Sequence, residues 1–170
     1  MRAYRIGAIA IGTVFLLACA VSPDEQVLTR FFEASRALDG TQLYRLATVT
    51  LNPRLDGSIQ TFSIAERRAD EKAPLVESRR EQARRSLIAS RGQDVDLARS
   101  TVEMITRQIT IAADLRTPDG TVRPARLFVT LEKAVATTSG SVAEGQWIVT
   151  RLQRAPDART SHVGSSVPRS

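Results

Sequence analysis

The chain of 170 residues carries one histidine, His162, and one cysteine, Cys19. A Ser-His-Asp triad, a His-Asp dyad or a multi-histidine metal site cannot be assembled from a single imidazole that lies close to the C-terminus. A lone cysteine forms no internal disulfide. Neither a Gly-rich phosphate loop, a Cys-x-x-Cys pair, an acidic calcium loop nor a nucleophile elbow is present, so no cofactor or metal is expected. The side chains left for chemistry are carboxylates and guanidinia. Glu103 and Arg107 are spaced to share one strand face with Ile105, Ile109 and Ile111. If that face points inward, an acid and a guanidinium enter the interior; if the strand end turns out, the two form a surface pair of little energetic consequence. Arg79, Arg80, Arg84 and Arg85 form two doublets interleaved with Glu77 and Glu81. They read either as a basic patch for an acidic partner or anionic headgroups, or as the solvated face of a helix.

The elements that must position these residues follow from periodicity. Ser22-Pro23-Asp24-Glu25 opens a helix, with Ser22 as cap, Pro23 at the first helical position and Glu25 completing a capping box. Val27, Leu28, Phe31, Phe32, Ser35 and Leu38 line one face of it, and Asp39-Gly40 stops it. A second short helix is expected from Thr41, with Leu43, Leu46 and Ala47 on one side, ending before Asn52-Pro53. Ile59, Thr61, Phe62 and Ile64 favour a strand within 55–65, preceded by an Asp56-Gly57 turn. A third helix is expected from about Pro74 to Arg91, closed by Gly92, with Val76, Ala83 and Leu87 as a thin apolar stripe. The carboxy half changes period: 102–115, 122–135 and 146–153 are predicted as three long antiparallel strands. Pro118-Asp119-Gly120-Thr121 is a tight turn between the first two, and the small residues of 137–145 connect the last two. Trp147 and Phe128 are expected in the core or at an interface, including that of a homodimer. Residues 155–170, rich in Ser, Arg, Pro and Gly, read as a disordered tail. It contains His162, which is therefore given no role.

The amino-terminal segment has its own pattern. Arg2 and Arg5 precede an apolar run from Ile6 to Ala18, the order that export machinery reads, and the run is too short to span a bilayer comfortably. Leu16-Leu17-Ala18-Cys19 resembles the lipobox of bacterial lipoproteins, in which a peptidase cuts before the cysteine and its sulfur carries diacylglycerol. The resemblance implies a signal peptide over 1–18, a lipidated N-terminus over 19–21 carrying lipid on Cys19, fatty acids such as palmitate, and a periplasm-facing place in the cell envelope. Ala20 after the cysteine favours the outer membrane. Ala18-Cys19-Ala20 also fits small-x-small cleavage, which would release a soluble secreted chain, and an uncleaved anchor is the third reading. Losing Arg2 and Arg5 with the leader brings the formal charge from +6 to +4. Nearly all of it is arginine, with Lys72 and Lys133 the only lysines. Nucleic acid is not an expected partner of an exported protein, and weak attraction to anionic headgroups suits this charge better.

Two helices, a strand, a third helix and a meander of long strands closing on Gly145-Gln146-Trp147-Ile148-Val149 resemble the nuclear transport factor 2-like superfamily, the cystatin-like α+β cone. The likeness covers residues 22–154 as one domain and implies an α+β fold with N-terminal helices packed in the hollow of a curved antiparallel sheet, leaving a pocket. That superfamily hosts isomerases, dehydratases, ligand binders and structural modules, so the fold alone fixes no activity. Its acid-base members imply a carboxylate of raised pKa in an apolar pocket, aided by a tyrosine or a second acid. The residues of this chain that could serve are Glu103, Glu132 and Tyr44, the last otherwise anchoring the second helix with its hydroxyl at the rim. Without a usable catalytic set, the leading expectation is a non-catalytic envelope lipoprotein that binds a partner protein or a small apolar ligand. The alternatives are a pocket enzyme of isomerase or dehydratase type and a component of a secretion or transport complex recognised through the helix arginines.

Overall fold

The first helix forms where the sequence places apolar residues three and four apart. α1 (Pro23–Ala37) starts with Pro23 in its first turn, has Asp24 and Glu25 against the positive end of its dipole, and buries Val27, Leu28, Phe31 and Phe32. The computed structural model describes residues 21–91 and 96–156. The segment 1–18 expected to be a signal peptide, Cys19 and most of the expected tail with His162 lie outside these residues. Ser22 precedes α1 but does not cap it through its side chain, contrary to the expected capping box. Its hydroxyl instead accepts a hydrogen bond from Arg67 Nη2 at 3.0 Å. α1 ends one residue before the expected stop, at Leu38 in the left-handed conformation, with the Asp39 N–H bonded to the Ala34 carbonyl. Asp39 then caps α2 (Gly40–Leu46) by accepting from the Gln42 N–H at 3.0 Å. This helix is shorter than expected. After it the chain is drawn onto a sheet edge, where Ala47 bridges Val149 in parallel and the Thr48 N–H bonds the Val149 carbonyl.

β1 (Ser58–Arg67) occupies the expected place, entered through Gly57 at φ 86°. It pairs antiparallel with β3 (Thr101–Arg116) and carries two bulges. Pairing stops at Arg67 opposite Ile109, which leaves the first half of β3 with an open edge. That edge is filled by β2 (Glu71–Pro74), which pairs with Glu103–Thr106 of β3. The expected third helix therefore does not begin at Pro74: the demand for partners on β3 outweighs the local helical pattern. A 3₁₀ turn at Glu77–Arg79 leads into α3 (Arg80–Arg91). β3 and β4 (Val122–Thr138) form a 16-pair hairpin across the expected turn, with Gly120 at φ 88°. β5 (Ser141–Glu144) folds back on the end of β4 through Gly140, so the stretch expected to be a plain connector adds a strand. β6 (Ile148–Arg154) then pairs with Leu127–Glu132 of β4.

The result is an α+β domain built on a curled, half-barrel antiparallel sheet. Alternation along β3 and β4 divides its two faces. Ile105, Ile109, Ile111, Leu115, Leu127, Val129 and Leu131 point to one side, where α1 supplies Leu28, Phe31 and Phe32. Residues of the opposite parity, Val102, Met104, Ala134 and Ala136, pack with Ala83 and Leu87 of α3. The third helix thus covers the other face of the sheet from α1, where a hollow enclosing all the helices was expected. Ser86 joins α3 to the sheet. Its hydroxyl donates to the Gln146 carbonyl at 2.7 Å and accepts from the Ala134 N–H at 3.1 Å, between the β5 and β6 stretches of β4. Gly145 passes so close that a Cβ there would overlap Ser86 Oγ and lie 2.9 Å from the Ser86 carbonyl carbon. No helix among the described residues is long and apolar enough to cross a membrane.

Candidate functional site

A network of charged side chains sits where the start of α1 meets the inner face of β3. Asp24, in the first turn of α1, is 1% exposed. Arg67, the last residue of β1, reaches it with Nε 2.6 Å from Oδ2. Arg107 points inward from β3 because it shares parity with Ile105 and Ile109, and its Nη1 lies 3.6 Å from the same oxygen. The main engagement of Arg107 is a two-pronged one with Asp70, between β1 and β2, at 2.7 and 2.8 Å. Behind it stands Trp147, with the Arg107 guanidinium carbon 4.6 Å from the ring centroid and Lys133 Nζ at 5.2 Å. Lys133 in turn holds Glu144 at 2.8 Å.

The electrostatics follow from these contacts. Burial opposes ionisation of Asp24, but the Ser22 hydroxyl, the hydrogen bond from Arg67 and its charge outweigh it, so the carboxyl sits below its ordinary range. Asp70 is lowered mainly by its hydrogen bonds from Arg107, and Arg107 is raised in return. Glu144 is lowered by Lys133. Asp24 Oδ1 has no hydrogen-bond partner among the described residues. Beside this network lies a hollow of about 230 Å³ walled by Gln26, Val27, Arg30, Lys133 and Trp147. Anionic and cationic groups that hold one another ionised in this way make a rigid clasp between helix and sheet. They do not make a proton shuttle that works near neutral pH.

The residues singled out from the sequence are dispersed around this centre. Glu103 is exposed, on the stretch of β3 that pairs with Pro74. Arg107 shares its face, as the spacing required, but is engaged by Asp70 and Asp24. Glu132 is buried on the opposite face, under α3, where Gln82 donates to it and Arg79 Nη1 lies 3.7 Å away. Neither glutamate lines any of the hollows described here. Tyr44 is 60% exposed, so it does not anchor α2 against the sheet as expected. It carries the Arg85 guanidinium 4.0 Å above its ring, beside a groove of about 890 Å³ between α2 and α3. A second hollow, of about 960 Å³, opens between 48–56 and the β3–β4 turn over Ile59, Leu115 and Leu127.

The four helix arginines divide into two roles. Arg80 and Arg84 pair with Glu77 and Glu81 one turn back. Arg79 and Arg85 reach the rest of the fold, Arg85 donating to the Tyr44 and Ala47 carbonyls and so tying α3 to α2. Among the described residues no group of three or more His, Cys, Asp and Glu could hold a metal ion. Asp24, Arg67 and Asp70 were not singled out from the sequence. Asp24 reads there as a helix-start acid, and the clustered charges of 66–72 were the one available signal for the other two. Comparison with known proteins found no matching family model, no similar curated protein and no similar solved structure.

Proposed function

We propose that this chain is an exported lipoprotein, acylated on Cys19, whose α+β body is a non-catalytic binding or scaffold module of the cell envelope. The fold type proposed is the nuclear transport factor 2-like cone. The leader over 1–18 supports the export step, and Cys19 follows its apolar run directly. On this reading only Ala20, Val21 and Ser22 separate the acylated sulfur from α1, a reach of about 14 Å at full extension. The body is then held close to the bilayer, periplasm-facing, with the outer membrane preferred.

One observation carries the non-catalytic half of the reading. The carboxylate buried between α1 and the sheet, Asp24, is held below its ordinary range by the Ser22 hydroxyl and the Arg67 guanidinium, which outweigh its burial, whereas a pocket base needs its pKa raised toward neutrality. The rival reading, an acid-base enzyme, draws on the burial of Glu132. Its contacts with Gln82 and Arg79 beneath α3 leave it away from the hollows where a substrate would sit. Replacing Cys19 by serine tests the proposal. The expected result is accumulation of an uncleaved precursor and loss of the acylated form from membranes; processing and membrane association both unchanged would overturn it.

A further inference from the structure

The face of the sheet opposite α1 is only partly covered by α3. Beyond the helix, Phe128 stands 45% exposed on β4, opposite Thr110 on β3 and Gln153 on β6. Strand alternation puts Arg126 on the same face two residues before it, and Arg151 opposite Thr130 two residues after it. Both arginines are exposed and have no carboxylate partner among the described residues. Of the acids on this face, Glu132 is held by Gln82 and Arg79, Asp114 takes the Thr61 hydroxyl at 2.6 Å, Glu66 lies 4.0 Å from Arg68, and Glu71 stands opposite Thr106, four residues along β3 from the partner of Phe128. An aromatic ring flanked by two uncompensated guanidinia is the composition of the centre of a protein interface, where aromatic and arginine anchors supply most of the binding energy.

We propose that this outer face, centred on Phe128 with Arg126 and Arg151 beside it, docks an acidic surface of another envelope protein that offers an apolar seat for the ring. The inference deepens the binding-module reading and rests on it. Charge decides against the other occupants. A second copy meeting face to face would set this basic patch against the same basic patch, and a surface that carries Arg126 and Arg151 offers its copy no excess of negative charge. The chain's own continuation past Pro156 carries Arg159 and Arg169 against the single acid Asp157, so it offers no negative surface. The anchoring bilayer is approached from the start of α1, on the other side of the sheet, whereas Phe128 faces outward.

The test uses the full-length chain expressed in a host that processes lipoproteins, with a photo-crosslinking residue introduced as Gln153→p-benzoylphenylalanine. The adduct is resolved by mass and the linked peptide identified by mass spectrometry. The expected result is one heterologous adduct whose linked segment is net acidic. It should fall at least tenfold with Arg126→Glu/Arg151→Glu and with Phe128→Ala, and survive Arg126→Lys/Arg151→Lys. An adduct to a second copy of the chain, an adduct indifferent to these substitutions, or no adduct would each overturn the proposal. So would arginine-dependent binding of the purified chain to vesicles of phosphatidylglycerol but not phosphatidylcholine. Membrane fractionation and a thermal melt of each variant accompany the assay. A chain that melts normally and stays on the membrane without the adduct refutes the docking face alone, whereas a chain absent from the membrane refutes the envelope reading.

Discussion

At the scale of single residues, the structure turns on Asp24. A carboxylate almost fully removed from water is tolerated because Arg67 and Arg107 converge on one of its oxygens. Both guanidinia keep some solvent and Arg107 has Asp70 as its principal partner, so losing Asp24 does not strand a buried cation. Asp24→Asn is therefore expected to cost about 1–3 kcal/mol, the range for a buried hydrogen bond whose partners are left unsatisfied, read from chemical denaturation at pH 7. The pH dependence has a definite sign. Asp24 and Asp70 are both lowered in the folded chain, so their contribution is present at neutral pH and is lost as the pH falls through their folded values, below about 4. The double replacement Asp24→Asn/Asp70→Asn should flatten that acid limb of the stability curve. A limb as steep as the parent's would show that the charge network is not its source. Of this cluster, the sequence disclosed Arg107 through its parity with Ile105 and Ile109, and nothing more. The rest depends on a contact between residue 24 and residues 67, 70 and 107, which no local pattern encodes.

At the scale of elements, the joint between α3 and the sheet carries the architecture. β4 pairs with β6 up to Glu132 and with β5 from Val135 onward, and Ser86 serves the backbone between them. Ser86→Ala leaves the buried Ala134 N–H and Gln146 carbonyl without this partner, which should cost about 1–3 kcal/mol. Gly145→Ala pushes a methyl into Ser86 and the Ala134 carbonyl and should cost a similar amount, about 1–3 kcal/mol as for overpacked cores. Thermal unfolding of both variants checks this, and a Gly145→Ala protein as stable as the parent would mean that α3 is not seated this tightly. The long elements were readable in advance because α1, β3 and β4 each bury one face and show the period that burial imposes, whereas β1, interrupted by two bulges and with Ile59 as its one buried residue, was signalled by its residue types alone. The misreadings share a cause. β2 and β5 are four residues each, and they exist because long neighbours offered unpaired backbone, while α2 stops early because the edge of β6 draws Ala47 and Thr48 into the sheet. Which face α3 would cover was equally illegible: its stripe of Ala83 and Leu87 fits either side of a sheet, and the small residues Ala134 and Ala136 that receive it sit in a strand whose other parity is the larger core.

At the scale of the whole molecule, the two faces of the sheet are put to different uses. The inner face is closed by α1 and clasped by the Asp24 network, so the start of the helix is fixed rigidly to the sheet just where the proposed tether attaches. The outer face is half covered by α3 and elsewhere presents Phe128 between Arg126 and Arg151. On the proposed reading, the clasped inner side lies toward the tether and the basic, aromatic outer side is free to hold a partner near the membrane. That account stands first on the fate of the amino-terminal leader. The intact mass of the chain extracted from membranes of a lipoprotein-processing host, together with that of its N-terminal peptide, is the most direct measurement. The account expects a chain that begins at Cys19 and carries the added mass of a diacylglyceryl group on that peptide. A chain that keeps residues 1–18, or begins elsewhere with an unmodified Cys19 or none, would contradict it.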